Sequence, residues 1–73
     1  MNNEQKFLVE SIIDDVARYI VEDEDASILD ALNTVYNSQF YEKLMDLGTG
    51  IYYQSPAYCY ELLKHELKYG KTI

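Results

Sequence analysis

Residues 3–22 read NEQKFLVESIIDDVARYIVE, and this stretch decides the fold. Phe7, Leu8, Val9, Ile12, Ile13, Val16, Ala17, Ile20 and Val21 recur at steps of three and four, the period of a helix with a broad apolar stripe. Glu10, Asp14, Asp15 and Arg18 fall mostly on the other side, and Glu4 suits the positive end of the helix dipole. The run Glu22-Asp23-Glu24-Asp25 closes the helix, because adjacent acids at a helix C-terminus oppose the dipole and repel one another.

Downstream, Ser27 reads as an N-cap with Asp30 in a capping-box-like position. Ile28, Leu29, Leu32, Val35 and Tyr36 supply the apolar face of a second helix to about Tyr36. Asn37-Ser38 interrupts it, and Ser38 is placed to cap a third, short helix bearing Phe40, Tyr41, Leu44, Met45 and Leu47, with Gly48 as its C′ residue. The pattern is equally consistent with two separate helices and with one kinked rod. Gly48-Thr49-Gly50 is flexible punctuation. Ile51-Tyr52-Tyr53-Gln54 reads as an ordered extended loop or a lone edge strand. Ser55-Pro56 marks a helix start, since serine caps and proline at N1 has no amide hydrogen to leave unbonded. The last helix runs from Pro56 through Tyr60, Leu63 and Leu67 to about Tyr69, and Gly70 terminates it. The expected architecture is all-α: one domain over residues 1–73, a bundle of three to four helices with a short extended aromatic loop before the last.

A chain of 73 residues buries only about 60% of the surface its unfolded form exposes, so its stability is marginal without a staple or a partner. Cys59 is the only cysteine, which rules out an intrachain disulfide, and His65 with Cys59 falls short of a four-ligand zinc set. No metal or cofactor is expected. A hydrophobic fraction of 48% fits a folded chain whose core self-association completes. There is no run of about 18 apolar residues to cross a membrane. The start Met1-Asn2-Asn3-Glu4-Gln5-Lys6 lacks the pattern of a signal peptide, and a lone thiol fits a reducing compartment, so a cytoplasmic location is expected.

Net charge is −7 and the pI is near 4.4. Residues 1–33 hold nine acids against Lys6 and Arg18, whereas residues 34–73 hold four acids against four lysines. Such a chain repels a phosphate backbone, which argues against nucleic-acid binding.

Few residues suggest chemistry. A calcium loop starting at Asp23 would need glycine at its sixth position and glutamate at its twelfth; Ile28 and Thr34 stand there. Asp14 and Asp15 are adjacent in a helix and point about 100° apart, so they do not face one cleft as a glycosidase pair must. Ser55 and His65 invite a triad reading, but Ser55 is a helix cap and His65 a surface residue of the last helix. Cys59, between Tyr58 and Tyr60, reads as a buried small hydrophobe. An enzyme is not expected. The unusual feature is the tyrosines, eight in all, with six between Tyr36 and Tyr60. Tyrosine packs as a large apolar ring with a polar tip and is enriched at protein interfaces.

The segments ILDALNTVYNS (28–38), Lys43-Leu44 and TGIYYQSPAYCYELLKHEL (49–67) together resemble a group of small bacterial helical proteins whose genes tend to sit beside toxin-like genes. The likeness covers about residues 28–67 and rests on packing residues. It implies an antitoxin-like or accessory binding role and assigns no residue a function. The basic DNA-binding arm of many antitoxins is missing here.

The reading is therefore a non-enzymatic protein-binding module. Asp23 and Asp25 attract a basic partner, and Tyr52, Tyr53 and Tyr58 anchor it. The alternative is a structural or regulatory homodimer that buries the aromatic loop against itself. A third is an acidic nucleic-acid mimic.

Overall fold

The computed structural model describes residues 1–70, so the last three positions of the expected domain lie outside the described residues. Helix α1 spans Asn3–Glu24. Its start is set by a capping box: Asn2 Oδ1 accepts the Gln5 amide at 2.8 Å, and Gln5 Oε1 accepts the Asn2 amide at 3.0 Å. The helix runs two residues past the expected end at Glu22. Three acids in the last turn cost tenths of a kcal/mol each; packing of Ile20 and an anchor at Asp23, described below, hold the turn in place. It stops at Asp25, which adopts the left-handed conformation with φ 53°. Aspartate tolerates this region better than most side chains.

Val9, Ile12, Ile13, Val16, Ala17 and Ile20 form the buried stripe of α1. Phe7, expected in that stripe, is 68% exposed. At about 100° per residue it projects nearly opposite Val9, Val16 and Ile20, so the helix turns it outward.

Helix α2 (Ile28–Tyr36) starts at Ser27, whose Oγ accepts the Asp30 amide at 3.1 Å. Its apolar arc is wider than the core uses. Ala31 and Val35 are buried, whereas Ile28, Leu29 and Tyr36, expected to face inward, are exposed. Helix α3 (Gln39–Met45) is separate, because Ser38 ends α2 and caps α3: its hydroxyl donates to the Val35 carbonyl at 2.6 Å and accepts the Tyr41 amide at 3.0 Å. The third helix ends before Leu47 and Gly48, not at them. Asp46 leaves the helical region with ψ 100°, and its Oδ1 accepts the Gly48 amide at 3.0 Å.

The segment expected to be extended, Ile51-Tyr52-Tyr53-Gln54, instead makes a 3₁₀ turn at Ile51–Tyr53, which follows another at Leu47–Thr49 across a hinge at Gly50 with φ 70°. The amides of Tyr53 and Gln54 bond the carbonyls of Gly50 and Ile51 at 3.1 and 2.9 Å. An isolated strand would leave these groups unpaired; a turn satisfies them locally.

Helix α4 (Pro56–Tyr69) starts as expected, with Ser55 Oγ accepting the Tyr58 amide at 3.2 Å and Pro56 in its first turn, and it ends at Gly70 with φ 80°. The all-α expectation holds: four α-helices and no strand occur among the described residues. The α1 stripe, Ala31, Val35, Phe40, Leu44, Tyr52, Cys59, Tyr60 and Leu63 form one core cluster. The radius of gyration is 11.4 Å, against about 11 Å for a compact chain of this length.

Candidate functional site

The five residues expected to bind a partner do not form one site. Tyr52 follows Gly50 into the inward side of the second 3₁₀ turn, and only 6% of it is exposed. Its hydroxyl accepts from Gln5 Nε2 at 3.4 Å, which ties the turn to the start of α1. Tyr52 is thus a core residue, and its ring is not an outward anchor. Tyr53 is 68% exposed beside it, with ring centroids 4.2 Å apart. Asp23 and Asp25 lie at the other end of α1. At a rise of about 1.5 Å per residue, Gln5 and Asp23 stand roughly 27 Å apart, most of the 33 Å length of the molecule. Tyr58 projects from the first turns of α4 and is 49% exposed.

Asp23 is held by its own chain. Tyr60 donates its hydroxyl to Asp23 Oδ2 at 2.8 Å. Tyr19 stacks on the Tyr60 ring at 5.1 Å and 13°, and Lys64 Nζ lies 5.3 Å from the ring centre. Burial pushes the Tyr60 phenol well above its ordinary pKa of 10, and its bond to Asp23 and the charge of that carboxylate push it further. The acids left to face outward at this end are Glu22, Glu24 and Asp25. The left-handed turn at Asp25 carries the chain directly from them to Ile28 and Leu29, which are 49% and 71% exposed. No cation stands in the last turn of α1 to neutralise the acids. The result is an acidic knuckle adjoining two bare aliphatic side chains.

Two concavities flank the core. An open groove of about 740 Å³ follows α4, with Ile20 and Glu24 of α1 on one side and Tyr58, Leu62, Leu67 and Tyr69 among its walls. A hollow of about 190 Å³ lies between the start of α1 and the α2–α3 corner, against Val9, Ile13, Tyr36 and Tyr41. The groove also has Glu61, Lys64, His65 and Lys68 in its walls. Among the described residues no three His, Cys, Asp or Glu side chains are placed to hold a metal ion, and no helix is long and apolar enough to cross a membrane. Cys59 is fully buried; desolvation raises its thiol to about 11, and its Sγ lies 3.7 Å from the Ile51 carbonyl. His65, expected on the surface, is half-buried, and its ring lies 4.6 Å from Tyr69.

No family model, curated protein or solved structure matches this chain. Its function is read from its own residues.

One carboxylate that entered the sequence reading only through the charge count is structural. Glu66 on α4 accepts the amides of Gln39 and Phe40 through its two oxygens, both at 2.8 Å. It caps α3 from 26 and 27 residues away. Local spacing carries no signal for a bond of that range.

Proposed function

We propose that the chain is a non-enzymatic protein-binding module for a basic partner, in the cytoplasm. The observation that supports this is the knuckle at the α1–α2 junction, where Glu22, Glu24 and Asp25 stand beside exposed Ile28 and Leu29. Charge of one sign speeds and orients encounter, and an apolar neighbour supplies the contact that holds once water is expelled. A basic amphipathic segment matches both halves of this surface. On the resemblance of residues 28–67 to small bacterial helical proteins encoded beside toxin-like genes, the partner we propose is the product of such a neighbouring gene.

Affinity capture from the native host, with wild type beside Glu24→Lys/Asp25→Lys and Leu29→Ser, tests the reading. A protein retained by wild type, released by 0.5 M salt and lost with either variant is the expected outcome. Equal recovery of every captured protein by all three baits rules the surface out.

A further inference from the structure

One flank of α4 carries a stripe whose two end residues the fold leaves exposed. Tyr58, Leu62, His65 and Tyr69 recur at steps of four, three and four, the spacing of the a and d positions of a coiled-coil seam. At about 100° per residue, the stripe is centred about 110° round the helix from the face that buries Cys59 and Leu63, on a flank of α4. Tyr58 and Tyr69 are 49% and 59% exposed, while Leu62 and His65 are half-buried. Glu61 and Lys68 flank the stripe on one side, seven residues apart and therefore at equivalent heptad positions.

We propose that α4 pairs with α4 of a second copy of this chain, antiparallel, about a two-fold axis level with the midpoint between Leu63 and Lys64. This surface is distinct in chemistry from the acidic knuckle, and the pairing does not depend on the partner-binding reading. A two-fold interface must be self-complementary, so each residue and its counterpart meet twice. About this axis Tyr58 meets Tyr69 of the partner subunit, and Leu62 meets His65 of the partner subunit. Glu61 then lies across from Lys68 of the partner subunit, within about two residues of axial rise, and the symmetry repeats the pair. Opposite charges thus face each other on that flank at both ends of the seam.

The parallel arrangement fails the same test. It sets Glu61 against Glu66 of the partner subunit, a like-charge pair, and Glu66 already spends both oxygens on the α3 amides. Lys68 is available to turn outward: its Nζ lies 5.3 Å from the Tyr69 ring centre. Glu61 makes only an exposed pair with Lys64 at 3.4 Å. One helical seam is smaller than the roughly 1,200 Å² or more of a stable interface, which places the dimer at the weak end of association.

Sedimentation equilibrium of the whole chain between about 10 µM and 1 mM spans that range. The mass is expected to rise from 8.5 kDa toward twice that value. Glu61→Lys and Lys68→Glu each weaken dimerisation by about tenfold or more, since each sets like charges together twice. The double exchange restores it to within about threefold of wild type. Both positions are exposed, and helical circular dichroism confirms that each variant folds. A wild type that stays monomeric throughout overturns the proposal. So does a dimer indifferent to both single exchanges, or one that Glu61→Lys tightens, which is the signature of parallel pairing.

Discussion

Tyr60 is where the two longest helices are fastened. Its ring is stacked on Tyr19 of α1, and its hydroxyl reaches Asp23 of the same helix. Replacing it with phenylalanine keeps the ring and removes one hydrogen bond to a charged acceptor. Because Asp23 is itself exposed, the loss is expected near 1 kcal/mol, the low end for such bonds. The same two neighbours, Cys59 and Tyr60, set the response to alkali. Both have folded-state pKa values raised above their unfolded ones, so the folded chain keeps protons that the unfolded chain has begun to lose. Their contribution is complete below pH 9, the ordinary value for the thiol, and declines as pH rises through about 11. The thiol accounts for on the order of 2 kcal/mol of that decline, and the phenol adds to it above pH 10. Urea unfolding measured every half unit from pH 8 to 11 is expected to show stability falling steeply in wild type. The fall is shallower in Cys59→Ala from pH 9, and in Tyr60→Phe from pH 10. Parallel curves for all three proteins would show that neither group is linked to folding.

At the scale of elements, α3 is the clearest case of a helix that cannot stand alone. It has seven residues, and isolated helices shorter than about 12–15 residues are marginal in water. Two N-terminal devices hold it: Ser38 takes the Tyr41 amide, and Glu66 takes those of Gln39 and Phe40. Glu66→Ala is expected to cost about 1–2 kcal/mol, and Glu66→Gln, which keeps one acceptor oxygen, less than half of that. Amide exchange should quicken at Gln39–Tyr41 in Glu66→Ala while α1 stays protected. Uniform quickening across the chain, or none, would contradict a local cap. This contrast also marks what a linear reading can see. The starts of α2, α3 and α4 were legible because Ser27, Ser38 and Ser55 act on amides three residues away. The Asn2–Gln5 box was equally local and equally readable, but a search for Ser or Thr with an acid passes over it. Phe7 was readable too: its angle around α1 puts it outside the stripe. The Glu66 cap, the Tyr60–Asp23 bond and the inward turn of Tyr52 were not, since each depends on residues brought together by packing. Tyr52 and Tyr53 are adjacent in sequence and opposite in burial, and only the 3₁₀ geometry after Gly50 decides which faces in. The candidate site suffers most from this. Four of its five residues are on the surface, but Tyr53 sits near the start of α1 and Asp23 and Asp25 at its far end, and Asp23 is tied down.

For the whole molecule, the decisive quantity is where the net charge of −7 resides. The chain concentrates acids at the one end of α1 where the helix dipole is already negative, with no cation in the last turn. This arrangement works against folding on two counts, since the acids repel one another and oppose the dipole. Glu24→Lys places a cation there and reduces the repulsion. It is expected to stabilise the fold by about 0.3–1 kcal/mol at low ionic strength, with the gain shrinking as salt approaches 1 M, where the screening length falls to about 3 Å. Wild type itself should gain stability over the same salt range. Thermal melts of the two proteins at 10 mM, 150 mM and 1 M sodium chloride separate this from a packing effect, which salt would leave unchanged. A Glu24→Lys chain that is less stable than wild type at low salt contradicts the charge account altogether. If it is more stable and yet binds no partner, the acids of this end oppose folding and serve recognition. The paired measurements of stability and capture on one variant distinguish a recognition surface from a solvated helix end.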